Sequence, residues 1–374
     1  MRNIHHPICT VIPPHMLRHV AEHGDDDVRK RVEATMRHTT RFAQERSQAT
    51  IDTPDGPTAL TPKRRQVYDA QHKRNLPGKL VMSDHGGLTS RDIEAVEAFE
   101  GSGVTSDFYA KVLFRNSIDG KGMPIISTVH YGQKFDNAMW DGRQMIYGDG
   151  DGKFFNRFTI DPAVQAHELT HGVTQHTAAL VYHDQSGALN EHLSDAVGSM
   201  VKQWSLGQTA SQADWKIGAG LFTPNVRGEA IRSMKAPGTA YDDPVLGRDP
   251  QPAHMRDYVV TTDDNGGVHI NSGIPNYALF LFATGVGGHS WEVPCSIWYP
   301  VQKTKLFPHA GFQDFAAATV SMAGQLYGTG SSVQSTLIDA WSEVGLPVTP
   351  APKKTALPSN RTKWRNRPLS RAKA

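Results

Sequence analysis

His167, Glu168 and His171 stand in the order H-E-x-x-H within HELTH. Four residues apart on an α-helix, the two imidazoles project from one face and can clamp a single metal ion. Glu168 is turned about a quarter of the helix circumference from His167. Its carboxylate can therefore take a proton from a metal-activated water without ligating. The pattern needs a helix to carry it. Asp161-Pro162 supplies a start, an Asp N-cap followed by Pro at the first helical position, and no Pro or Gly interrupts the run before Gly172.

A catalytic zinc takes three protein ligands and leaves a fourth position open. In GALNEHLSD, Glu191 and Asp195 lie four apart on a second helical pattern, running from about Ser186 to a stop at Gly207. One can ligate while the other orients. Glu191 would complete a His₂Glu set, and Asp195, one turn on, could accept the free ring N–H of a ligand histidine and fix its tautomer. Asn190 could serve the other histidine.

These segments resemble the thermolysin-like zinc metalloproteases, whose pattern is HELTH followed by N-E-x-x-S-D. The matching residues are His167, Glu168, His171 and then Asn190, Glu191, Ser194, Asp195. DNGGVHINSG (264–273) resembles the family segment that carries the catalytic histidine, which implies His269 with Asp264 as its carboxylate partner. The resemblance implies that Tyr182 in ALVYHD is a second oxyanion donor and that Arg232 in IRSM holds a substrate carbonyl. It also implies that Asn137-Ala138 in DNAMWDG bind the substrate backbone from an edge strand. An apolar pocket of Phe155, Val164, Leu221 and Ile231 would select bulky apolar residues, with cleavage on their amino side. The implied fold is α+β, a thermolysin-like two-lobe zincin: a β-rich N-terminal lobe (51–177) ending in the zinc-binding helix, a helical C-terminal lobe (178–348), and the zinc site in the cleft between them.

The rest of the chain fits a soluble globular protein of two to three domains, with 374 residues, 38% hydrophobic and 20% charged. No run approaches the length of a membrane span. Residues 1–50 form a charge-rich helical segment in which Asp25 to Asp27 open a helix and Val28, Val32 and Met36 make one apolar face. IPPHML, with Pro13, Pro14 and Leu17, resembles the short propeptide of the protealysin-like branch of the family. That implies a zymogen whose own N-terminal segment inhibits it until a cut near residues 45–60; the alternative is a solvated helical extension. From 60 to 160 the pattern reads as short strands and turns, including strands at 109–114 and 125–131 and a turn at YGDGDG (147–152). Helical patterns dominate later, notably 312–328 and 335–345.

The tail, 349–374, carries eight Lys or Arg, no acid and four prolines, and is expected to be disordered. A chain at +2 with +8 in its tail leaves the body at −6. A nucleic-acid-binding body would need a basic patch that this balance argues against, and a zinc module without catalysis would not need Glu168 or the oxyanion pair. The expected partners are peptide substrates and the pro-segment, with the protein a monomer. Cys9 and Cys295 read as two free thiols, with Cys9 as an inhibitory thiolate on the zinc the alternative. Pro13-Pro14 cut short the only apolar run near the start, so the sequence suggests no signal peptide, synthesis in the cytoplasm, and secretion, if any, by a route that needs none. One Zn²⁺ is expected. Calcium is doubtful, because positions that match the family's calcium ligands read Ala163, Lys202, Asp214, Lys216 and Ala219.

Overall fold

Six short strands of the first 150 residues make one sheet: β1 (Cys9–Thr10), β2 (Arg65–Asp69), β3 (Lys79–Ser83), β4 (Ile125–Val129), β5 (Ala138–Trp140) and β6 (Met145–Tyr147). This computed structural model describes residues 9–47, 60 and 62–349, without the side chains of Cys9 and 43–47. The tail beyond Thr349 and most of the expected cut region lie outside the described residues, as does the Cys9 side chain. The strand order is β1-β5-β6-β4-β2-β3. β2, β4 and β6 run parallel, and β5 pairs antiparallel with β6. Without the N-terminal segment β5 would be an edge strand with unpaired backbone groups. Instead β1 pairs antiparallel with it, Cys9 opposite Trp140 and Thr10 opposite Met139.

Residues 109–114, expected as a strand, are corrected by the structure. Tyr109 to Lys111 form the last turn of α3 (Ile93–Lys111), a helix capped by Asp92, whose carboxylate accepts from the Ala95 N–H at 2.9 Å. Its middle, GSGVTS, is made of weak helix formers and hid it. Tertiary burial of Ala98, Phe108 and Tyr109 holds it in place. Aromatic residues favour strands only because they suit a half-buried surface, and a buried helix face suits them as well.

Two helices carry most of the expected chemistry, α4 (Pro162–Gln175) and α5 (Asp184–Leu206). Asp161 caps α4 by accepting from the Ala163 N–H at 2.9 Å, and its other oxygen accepts from the Gly218 N–H at 2.8 Å. α5 ends at Gly207, which takes the left-handed conformation at φ 64°. Every residue of α4 from Ala163 onward is buried, so its apolar residues show no single stripe. The helices touch at Gly198, where a Cβ would lie 2.6 Å from the Ala163 carbonyl oxygen and 3.4 Å from the His167 Cβ.

The later chain adds α6 (Asp264–Asn271), α7 (Gly273–Val286), α8 (Val293–Thr304), α9 (Phe312–Tyr327) and α10 (Ser332–Glu343). Trp298, Phe315 and Trp341 stack and cross at their centre. The N-terminal segment continues from β1 into α1 (Pro14–His23) and α2 (Asp26–Ser47). Pro13 precedes α1 as its N-cap, Pro14 is its first residue, and Met16, Leu17, Val20, Val28 and Val32 are buried in the same core as the sheet and α4. Ion pairs from Lys153 to Asp25 (2.6 Å) and from Arg31 to Asp151 (3.2 Å) fasten it. Among the described residues no helix is long and apolar enough to cross a membrane. Cys295 is a buried free thiol.

Because Gly198 lets α5 approach the backbone of α4, Gly198→Ala should destabilise the protein by about 1–3 kcal/mol, the usual cost of overpacking. Thermal unfolding checks this, and an unchanged Tm would show that the helices can separate at no cost.

Candidate active site

The i, i+4 spacing on α4 sets His167 and His171 side by side, with their Nε2 atoms 3.0 Å apart. Glu191, projecting from α5, brings Oε2 to 3.4 Å from the His167 Nε2 and Oε1 to 3.4 Å from the His171 Nε2. All three side chains are fully buried. Their other ring nitrogens face acceptors: His167 Nδ1 lies 2.8 Å from Asp195, and His171 Nδ1 lies 2.9 Å from Asn190 Oδ1 and 3.1 Å from Ser194 Oγ. Both Nε2 atoms are thereby left to point at a common position. Two imidazoles and one carboxylate converging there fit zinc. Glu191 Oε2 and Glu168 Oε1 are buried with no hydrogen-bond donor among the described residues, as expected where a cation belongs.

Glu168 is anchored on one side only, where its Oε2 accepts from the Trp140 N–H of β5 at 3.0 Å. Burial pushes its carboxyl up to about 8, with His167 opposing and Glu191 adding to the rise. A carboxylate so poised can accept and return a proton near neutral pH.

His269 lies on α6 just after its irregular start, a tight turn in which Asp264, Asn265, Gly266 and Gly267 all have positive φ, between 51° and 83°. This run folds Asp264 back onto the histidine. Its carboxylate accepts from the His269 N–H at 2.9 Å and meets Nδ1 at 2.6 Å. Burial lowers the His269 pKa, but the Asp264 and Glu191 carboxylates outweigh it and the net shift is upward. The Tyr182 hydroxyl donates to Glu191 and lies 3.2 Å from His269 Nε2.

The N-terminal segment runs through this site. The Val11 N–H donates to the Ala138 carbonyl at 3.1 Å, and the Ile12 N–H donates to Asn137 Oδ1 at 3.0 Å. Arg232 reaches the Val11 carbonyl at 3.3 Å, while its Nε and Nη2 grip Asp195. The Thr10 carbonyl lies 3.1 Å from His269 Nε2. Phe155, Val164, Leu221 and Ile231 are buried in the same apolar cluster as Val11 and Ile12.

Sequence reasoning missed part of the support. Asn276 on α7 donates to Asp195 at 2.8 Å, His192 Nδ1 meets Asn276 Oδ1 at 2.8 Å, and the Trp298 indole donates to His192 at 2.8 Å. No spacing rule joins residues on α5, α7 and α8. Burial pushes the His192 pKa down to about 4, so it stays neutral and completes the chain from α8 to the histidine pair.

Two family models match the chain. One, described as the catalytic domain of thermolysin metallopeptidase, matches residues 35–175; the other, its alpha-helical domain, matches 178–346. An extracellular metalloprotease of Pectobacterium carotovorum subsp. carotovorum is 48% identical, over 91% of this chain and 97% of that protein. Protease PrtS of a Photorhabdus species is 42% identical, over 90% of this chain and 92% of its own. The solved precursor of protealysin, a metalloproteinase from Serratia proteamaculans, superposes with a TM-score of 0.81 at 46% identity, covering 90% of this chain and 99% of that one. The expectation of cytoplasmic synthesis without a signal peptide, and of any exit by another route, is overturned here, because a relative matched along 97% of its length is named extracellular.

Since Asp264 raises the His269 pKa above its ordinary 6.5, activity that needs the protonated imidazole is lost as pH rises through that raised value. Asp264→Asn should move the alkaline limb of kcat/KM to lower pH. A pH profile with an unmoved limb would assign that limb to another group.

Proposed function

This chain belongs to the thermolysin metallopeptidase family, and on that premise we propose how its residues divide the chemistry of a protease made with its own inhibitor attached. It is a neutral zinc metalloprotease that hydrolyses peptide bonds. Zinc held by His167, His171 and Glu191 supplies, when bound, the Lewis acidity that polarises the substrate carbonyl and acidifies a water. Glu168 takes the proton of the attacking water and passes it to the leaving amine. His269 and Tyr182 donate to the oxyanion that develops, with Asp264 holding the imidazole protonated. Asp195 and Asn190 fix the ring orientations of the ligand histidines.

Arg232 receives the carbonyl that follows the scissile bond, and Asn137 and Ala138 hold the substrate backbone in register. Phe155, Val164, Leu221 and Ile231 take a bulky apolar side chain on the leaving-group side, so cleavage falls on its amino side.

The observation that carries the zymogen reading is the path of residues 10–12. Thr10 offers its carbonyl to the oxyanion donor, Val11 its carbonyl to Arg232, and Val11 and Ile12 their N–H groups to the edge strand. Residues 1–50 are the inhibitory segment, 51–177 and 178–348 the two lobes, and 349–374 a basic tail. The Pro13-Pro14 pair turns the chain from the sheet edge into α1, whose Leu17 is buried, and so holds the plug in place. Full activity requires a cut near residues 45–60. The named extracellular relative supports secretion, and the protein is taken to act as a monomer.

Calcium has no structural role in this reading. The Lys202 ammonium lies 3.0 Å from Asp214, and Lys216 pairs with Glu229. Lys202 is a cation built into the chain where a divalent ion would otherwise be needed. Tm measured with and without a calcium-selective chelator should coincide; a large calcium-dependent rise would overturn this.

Intact mass followed over time tests the whole assignment, with wild type beside Glu168→Gln. Only the wild type should shed its N-terminal segment, and Glu168→Gln should lose peptide hydrolysis by about 10²–10⁴-fold, the usual contribution of a general base. Equal trimming of the two would show that an outside protease, or another residue, makes the cut.

A further inference from the structure

A second group of side chains of metal-ligating type, none of them assigned to the catalytic site above, stands beyond the carboxyl ends of the sheet's parallel strands. β2, β4 and β6 are adjacent and parallel, and just beyond their carboxyl ends come His72, His130 and Asp149. Crevices beyond the carboxyl ends of parallel strands are where such sheets gather ligands. The His72 N–H donates to the His130 carbonyl at 2.9 Å, so the two loops are tied together. Both histidines have positive φ, 55° and 53°. L-residues rarely enter that region unless the surrounding structure compels it. Here it turns the two imidazoles toward one carboxylate, with His72 Nδ1 3.0 Å from Asp149 Oδ2 and His130 Nδ1 3.0 Å from Asp149 Oδ1.

We infer that His72, His130, Asp149 and Glu94 form a second site for a divalent transition metal, zinc being the natural occupant. Glu94, on the first turn of α3, brings Oε2 to 3.5 Å from His130 Nδ1. That oxygen is buried and accepts no hydrogen bond among the described residues. The outer nitrogen of His130, Nε2, faces Asp92 Oδ1 at 3.2 Å, the carboxylate–histidine pairing that aims an imidazole at a metal. If His130 donates from Nε2 to Asp92, the Nδ1 lone pair confronts the oxygens of Asp149 and Glu94. Three carboxylates then meet two imidazoles, and a cation between them resolves the conflict. Two nitrogen donors with carboxylate oxygens select zinc or a related transition ion over calcium or magnesium, which prefer oxygen alone. The candidate donor atoms of His72, His130 and Asp149 lie within 4.8 Å of one another, and the exposed His72 can close on an ion without disturbing the core.

The test counts metal in the full chain carrying Glu168→Gln, which keeps its ligands but should not cut itself. After stripping with a chelator, reloading with zinc and gel filtration, elemental analysis should find two zinc ions per chain. Adding His72→Ala should leave one, and His72→Gln should do the same, while adding His167→Ala instead should remove the other. The His167 arm keeps the two sites apart, so a failure at one is not mistaken for a failure at the other. A parent chain with one zinc that His167→Ala abolishes, or a His72→Ala chain that still holds two, would overturn the inference. The cluster would then be an ion-pair network held by protonated imidazoles.

Discussion

Asp195 is the buried charge on which the site depends. Its carboxylate is fully enclosed, and an enclosed charge is tolerated only when paired and hydrogen-bonded on every side. Arg232 grips it with two donors, Asn276 donates to its second oxygen, and His167 meets it through Nδ1. Burial alone would raise its pKa, but the Arg232 guanidinium and His167 hold it well below the usual carboxylate range. Losing one partner of such a group typically costs about 3–5 kcal/mol, because the remainder is stranded without water. One oxygen pair thus sets a metal-facing imidazole, the arginine that reaches the Val11 carbonyl, and the packing of α7 against α5. Moving any of them moves the others.

The sheet edge imposes a second constraint. β5 needs a partner for its backbone groups, and an extended segment of the same chain supplies one in the folded precursor. A tethered segment binds at an effective concentration set by its connection, so modest contacts suffice to keep it on the edge strand. The helices after β1 add buried residues, and ion pairs at Arg18 and Asp25, which turn a weak three-residue contact into a stable cover.

Much of this was legible in the sequence, for physical reasons that differ by element. The histidine pair could be read because a helix turns spacing into direction, and α4 and α5 announce their ends with Asp161-Pro162 and Gly207. The later helices showed regular periodicity. α3 did not, because its glycines and its serine and threonine residues are poor local signals and the helix exists by packing against the sheet. Asn276 and His192 were invisible for another reason: their roles arise where three helices meet, and no linear spacing records that. His72 and His130 escaped notice likewise, and Asp149 read only as part of a turn, since parallel strands bring together residues far apart in sequence. Roles carried by resemblance, such as those of Arg232 and Tyr182, had no local signal at all.

The loop before His269 shows what a sequence motif can preserve. Four consecutive residues with left-handed backbone reverse the chain tightly enough for Asp264 to reach the histidine five positions on. A side chain at Gly266 would place its Cβ against the Asp184 carboxylate, so part of DNGG is dictated by handedness and space alone. The motif therefore works as a mould: its glycines carry no functional group, yet they determine the distance at which a carboxylate faces an imidazole. In any chain that kept Asp264 and His269 but lost this curl, the same two side chains would be present and would not meet.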